Sequence, residues 1–244
     1  SDMLCPNLLC VDKIIAKIKA VKPKLVCLAN PNSPTGTVLN HKGLEKVIQE
    51  AAETNAVILI DEAYYLFYPK SVKPLIRDIP NLVVTRTFSK ALGLASARLG
   101  YALGHADMIQ CLHKVRPMYE TNAYALQFAE IVLDHVPLIK KNLKVLQEGK
   151  RYLEKQLRAM RLPYFKSYAN FVLIDMGSKE KALQITKFLK DKKILVKSGF
   201  DFLPLQCCIR VNIGDTQQIE VFLKALKQAL GEKIIAAENQ LVSV

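Results

Sequence analysis

The chain switches between two spacings of apolar residues, and the switching predicts its architecture. Val11–Val21 carries apolar residues at 11, 14, 15 and 18, with Lys13, Lys17 and Lys19 elsewhere, which is one face of a helix. Leu25–Ala29 is a short continuous apolar run of buried-strand type. A Pro/Asn/Gly turn follows at 30–36, reading Asn-Pro-Asn-Ser-Pro-Thr-Gly. The helical period returns over 42–54 through Leu44, Val47, Ile48 and Ala51. Further buried strands are predicted at 56–60, ending on Asp61-Glu62, at 82–85, ending near Thr87-Phe88-Ser89-Lys90, and at 99–103. The second half reads differently. A long helix is predicted over 137–160, then strand-like 170–174, helical 181–189, strand-like 194–196 and 208–213. A last helix carries Ile219, Phe222, Leu223, Leu226 and Leu230 at helical spacing.

Buried strands separated by helices predict an α/β domain with a mostly parallel sheet over 1–135. The remainder, 136–244, reads as a smaller α+β domain. In open parallel sheets, ligands bind outside the carboxyl ends of the strands. The 30–36 turn, Asp61 and the segment around Lys90 all follow such ends, so they are candidates for one site.

Composition narrows the classes. Half of the 244 residues are hydrophobic and 23% are charged, which excludes a disordered chain. No apolar run approaches the ~18–20 residues of a membrane helix. Ser1-Asp2-Met3-Leu4-Cys5-Pro6 lacks the basic-then-apolar pattern of a secretory signal. None of the cysteines (Cys5, Cys10, Cys27, Cys111, Cys207, Cys208) sits in a C-x-x-C pair, and Cys27 lies inside an apolar run as a small hydrophobe. A reduced, cytoplasmic protein is predicted. His41, His105, His113 and His135 show no metal-ligand spacing, so no metal site is expected. The net charge of +13 suits a nucleic-acid partner, an anionic substrate or simple solubility. Its lysine clusters fall on predicted helices and read as solvated faces. With no finger, RNP motif or aromatic interleaving, no nucleic-acid partner is expected.

Lys90 is the sharpest chemical feature. Thr87 and Ser89 precede it and Arg98 follows eight residues later. Hydroxyls, loop N–H groups and an arginine together make a phosphate cradle. A lysine beside such a cradle suggests a Schiff base with a phosphorylated aldehyde cofactor. Asp61 ends the run Val57-Ile58-Leu59-Ile60. An acid there suits a helix N-cap, and equally the pairing that holds a pyridine nitrogen protonated. Tyr64 suits either packing or a contact with a ring oxygen.

Four motifs in order carry a family resemblance: N-P-N-S-P-T-G at 30–36, D-E-A-Y at 61–64, R-T-F-S-K-A at 86–91 and R-L-G-Y at 98–101. Over about 10–230 the chain resembles the fold-type I aminotransferases, which depend on pyridoxal 5′-phosphate, and among them the histidinol-phosphate type. The resemblance implies that Lys90 binds the cofactor covalently, Asp61 pairs with its ring nitrogen and Tyr64 with its ring oxygen. Thr87, Ser89 and Arg98 would hold the phosphate. Arg210 would clamp a substrate α-carboxylate, with Asn170 nearby. It further implies an amino donor, a 2-oxo acid acceptor, two half-reactions and a homodimer. The family places Asn immediately before Pro-Thr-Gly; here that residue is Ser33, so either Ser33 or Asn32 meets the ring oxygen. Family members carry well over a hundred residues before the 30–36 turn, so the chain resembles their C-terminal two-thirds. The large domain would then be a three-layer α/β/α sandwich, incomplete at its N-terminal side. A related pyridoxal phosphate decarboxylase shares every motif quoted, and a non-catalytic aminotransferase-like module is the reading of another class.

Overall fold

The structure, a computed structural model, describes residues 3–4 and 10–241 and the side chains of residues 10–231. Cys5 and most of the 1–6 segment lie outside the described residues, so the readings placed on them have no structural counterpart. The described chain divides into two compact units. The larger comprises 10–143 with Tyr168–Asn170; the smaller comprises 144–167 and 171–241 with Met3–Leu4.

Strand β1 (Met3–Leu4) belongs to the smaller unit. The larger unit opens with helix α1 (Val11–Val21), strand β2 (Leu25–Ala29), helix α2 (His41–Glu53) and strand β3 (Val57–Asp61). Strands β4 (Leu82–Thr87) and β5 (Gly100–Gly104) complete a sheet of order β2-β3-β4-β5. The first three strands are parallel, and β5 returns antiparallel to β4. Helix α2 starts where Asn40 caps it, its side chain accepting from the Gly43 N–H. Gly43 lets α1 come close, since a Cβ there would stand 2.7 Å from Val11 Cγ2. The helices bury Ile18, Leu44, Val47 and Ile48 against Val26, Ile58, Ile60 and Val84 of the sheet. The predicted helix-and-strand order is therefore present, and the sheet is mixed but mostly parallel.

Two local expectations change. The apolar run 25–29 reads as a strand buried on both faces, but β2 is the sheet edge. It alternates, burying Val26 while Leu25 and Cys27 are exposed. Cys27 is thus a surface thiol rather than a core hydrophobe. Two helices without a clear sequence signal follow β5, α3 (Ala106–His113) and α4 (Ala123–Asp134). Helix α4 is apolar nearly all round and buries only Ala125 and Ala129.

The long helix α5 (Val136–Ala159) is followed by β6 (Tyr164–Phe165), β7 (Phe171–Asp175), α6 (Lys179–Asp191), β8 (Cys208–Asn212) and α7 (Thr216–Leu241). Strands β6, β7 and β8 form an antiparallel sheet, with β1 parallel to β6 at its edge. Leu153, Leu157, Leu173, Ile174, Leu189 and Leu226 are buried in this unit. The expected strand at 194–196 is absent. That segment leads only to a two-way backbone bridge between Lys197 and Arg210. Lys150 also departs from the reading of α5 lysines as solvated. Its ammonium donates to the Ser167 carbonyl and lies 4.0 Å from Glu154 Oε1, and burial lowers its pKa. Among the described residues, no helix is long and apolar enough to cross a membrane.

Candidate active site

The parallel register aligns Ala29, Asp61 and Thr85 across the carboxyl end of the larger sheet. The Asn30 N–H donates to the Asp61 carbonyl at 2.9 Å, so the 30–36 turn begins directly beside this residue. Asp61 is half-buried. Its Oδ1 accepts from the Ala63 N–H at 2.9 Å and, weakly, from the Thr85 hydroxyl at 3.5 Å. No described residue hydrogen-bonds Oδ2, which leaves one carboxylate oxygen available to a cationic N–H.

The 30–36 turn is tied internally. Asn30 is buried and its Oδ1 accepts from the Leu39 N–H. Asn32 donates its side-chain amide to Thr35 Oγ1 at 2.8 Å, and Thr35 shares a hydrogen bond with Thr37. Gly36 supplies the positive φ of 72° that closes the turn. Ser33 is exposed and its hydroxyl has no bond to a described residue. Asn170 belongs to the same unit. Its neighbour Tyr168 donates its N–H to the Gly36 carbonyl at 2.7 Å and packs edge-on against Tyr68.

Thr87, Ser89, Lys90 and Arg98 lie on one loop. The Phe88 N–H donates to the Leu99 carbonyl at 3.0 Å and closes it. The Thr87 hydroxyl is engaged within the loop, donating to the Leu99 carbonyl and accepting from the Ser89 N–H. Arg98 is exposed, adopts φ 53° and has a single recorded hydrogen bond, from Nη1 to the Ala95 carbonyl. Lys90 is exposed, and its ammonium lies 5.8 Å from the centroid of the buried Tyr64 ring. The structure therefore brings Asp61 beside the start of the 30–36 turn and Lys90 beside Tyr64.

Arg210 belongs to the smaller unit, in the middle of β8. Its guanidinium lies 4.8 Å from the Phe171 ring centroid, and its buried Nε has no hydrogen-bond partner among the described residues. A buried N–H of a charged fork without a partner suits an anion.

Sequence reasoning assigned nothing to the buried pair Glu62 and Arg86. Arg86 Nη2 lies 2.9 Å from Glu62 Oε2, with side-chain exposures of 9% and 3%. Glu62 also accepts from Ser71 Oγ and the Val72 N–H, each at 2.9 Å. Burial works against the Arg86 charge, but hydrogen bonds to Tyr101 and Glu62 outweigh it and raise its pKa. Glu62 follows Asp61 and Arg86 precedes Thr87, so the pair pins together the two strand ends that carry the site. The available signal was a second charged residue within each motif, Glu62 in D-E-A-Y and Arg86 in R-T-F-S-K-A. A cavity opens beside the pair, walled by Tyr65, Arg86, Tyr101, Leu133 and Ile139; its walls do not include Asp61 or Lys90.

A mostly parallel α/β sheet in one unit and a small α+β unit in the other are the folds of the fold-type I aminotransferase class. The chain belongs to the aminotransferase class I and II family, whose pattern it matches over residues 8–226. It is 34% identical over 221 residues to histidinol-phosphate aminotransferase 1 of Idiomarina loihiensis, covering 89% of this chain and 59% of that protein. Histidinol-phosphate aminotransferase 2 of Carboxydothermus hydrogenoformans is 35% identical, with coverage of 89% and 60%. Among solved structures, histidinol-phosphate aminotransferase from Sinorhizobium meliloti in complex with pyridoxal-5′-phosphate superimposes with a TM-score of 0.82 at 27% identity. It covers 91% of this chain and 61% of that one. The chain thus spans about three-fifths of the length of these relatives.

Proposed function

We propose that the chain carries the covalent and substrate-carboxylate machinery of a pyridoxal 5′-phosphate-dependent aminotransferase of the histidinol-phosphate type. It would move an amino group between an amino acid or amino-alcohol phosphate and a 2-oxo acid. The observation that carries this reading is the unclaimed Asp61 Oδ2 at the carboxyl end of β3, alongside the free Lys90 ammonium near Tyr64. An acid with an open oxygen, a primary amine, and a loop offering Ser89 and Arg98 form a donor set that fits the pyridinium, aldehyde and phosphate of that cofactor. When bound, the cofactor supplies an electron sink for the carbanion formed at the substrate Cα.

This chain's own residues would do the following. Asp61 keeps the ring nitrogen protonated by accepting its N–H. Lys90 would hold the aldehyde carbon of the cofactor, and its amine would move the proton at the substrate Cα. Tyr64 donates to the ring oxygen. Ser33 serves that oxygen better than Asn32, because the Asn32 amide already donates to Thr35. Ser89 and Arg98 face the phosphate, while Thr87 holds their loop closed. Arg210 takes the α-carboxylate in a bidentate grip, and Asn170 contributes from the segment tied to the 30–36 turn. A homodimer accompanies this reading. The exposed Tyr124, Phe128, Ile131 and Leu133 of α4 support it, and sedimentation at twice the monomer mass would register it.

The test is the reaction. With pyridoxal phosphate, histidinol phosphate and 2-oxoglutarate, the chain should form glutamate, and Arg210→Lys should raise KM for the oxo acid about tenfold by replacing a planar fork with a point charge. Carbon dioxide release from an amino-acid phosphate without amine transfer would favour the decarboxylase reading. Neither product would favour the non-catalytic module.

A further inference from the structure

The smaller unit holds a side-chain cluster that the aminotransferase reading does not use. Asp175 ends β7 and Cys208 begins β8, and the two are cross-strand partners. Cys207 stands just before the strand, in the turn that follows a short 3-10 helix at Leu203–Leu205. Within a strand, adjacent side chains point to opposite faces. Because Cys207 lies outside the ladder, its sulfur escapes that alternation and sits 4.0 Å from Cys208 Sγ. The two sulfurs and an Asp175 carboxylate oxygen all lie within 4.8 Å of one another.

We propose that Asp175, Cys207 and Cys208 form a binding site for a thiophilic divalent metal ion of the zinc class. Zinc–sulfur bonds of about 2.3 Å at tetrahedral angles place two sulfurs about 3.8 Å apart, close to the separation observed. The backbone around the cluster is fixed: the Met176 N–H donates to the Cys207 carbonyl at 2.9 Å. The carboxylate is oriented by the Gly177 N–H, which donates to Asp175 Oδ1 at 2.7 Å. Cys208 is buried, whereas Cys207 and Asp175 are partly exposed, which provides a path for entry. Burial raises the pKa of both thiols, and the neighbouring Asp175 raises that of Cys207 further. Without an ion, burial therefore favours the protonated form of both thiols. Each thiol that binds the ion releases one proton to solvent, and no electron is transferred. Three protein ligands leave a fourth position open to water or another donor.

The site does not depend on the cofactor reading, so the two can fail separately. The experiment titrates the full chain with cadmium in a phosphine reductant and follows the thiolate-to-metal charge-transfer band. It is done in a Cys27→Ser, Cys111→Ser background, which removes the two exposed thiols among the described residues. One tight equivalent with a thiolate band is expected, and zinc should displace it. Cys207→Ser should weaken binding at least tenfold, and Asp175→Asn should weaken it about tenfold. An affinity unchanged by Cys207→Ser, or no band at all, overturns the proposal. If the background variant does not fold, the same Cys207→Ser comparison in the unsubstituted chain must remove one tight equivalent, and failure to do so overturns the proposal equally.

Discussion

At the scale of single residues, the site depends on which polar atoms are already committed. Asp61 Oδ1 accepts from the Ala63 N–H while no described residue bonds Oδ2; Asn32 donates its amide to Thr35, and the Ser33 hydroxyl bonds to no described residue. The buried Glu62–Arg86 pair has the opposite character, since its polar atoms are taken up by each other and by Ser71, Val72 and Tyr101. Breaking a buried pair from one side leaves an uncompensated charge. Glu62→Gln is therefore expected to destabilise the chain by about 3 kcal/mol, read as a lower urea midpoint with an unchanged slope. A change within a few tenths of a kcal/mol would mean that Arg86 finds other partners. Lys90, Asp61 and Arg210 stood out in the sequence as candidates because each is a polar residue in or just after an apolar strand. The Glu62–Arg86 pair did not, because its members are 24 positions apart and no periodicity joins them. The Asp175–Cys207–Cys208 cluster was hidden for a similar reason. Register across β7 and β8 creates it, and sequence spacing shows only two adjacent cysteines.

At the scale of elements, apolar period placed α1, α2, α5 and the strands β2, β3 and β4 within a few residues. It failed where burial is one-sided or partial. Helix α4 has apolar residues on every side, so it shows no amphipathic stripe to read, and the structure leaves most of them exposed. The 194–196 segment has strand-like residues, yet only Lys197 bridges to β8, because a single pair of backbone bonds does not extend a ladder. Helix α5 depends on a close approach that periodicity does not show. Gly149 is buried, and a Cβ there would collide with the Gly214 carbonyl oxygen, a backbone atom that cannot rotate away. Gly149→Ala should thus cost about 3 kcal/mol despite alanine's better helix propensity. Thermal unfolding of the variant checks this; a gain in stability would show that α5 and the 214 loop separate without penalty.

At the scale of the whole molecule, the chain is a family member that spans about three-fifths of its relatives. Its larger unit brings Asp61, the 30–36 turn and the Lys90 loop to one sheet end. Its smaller unit holds Arg210, whose buried Nε has no partner among the described residues. The central proposal is that Asp61 and Lys90 of the larger unit hold a covalent aldehyde cofactor. The most direct test adds pyridoxal phosphate to the purified chain, reduces with borohydride and maps the modified peptide by mass spectrometry. The account predicts one cofactor per chain fixed to Lys90, with the visible absorption band and the adduct both lost in Lys90→Ala. Modification spread over surface lysines, or an adduct that survives Lys90→Ala, would contradict it.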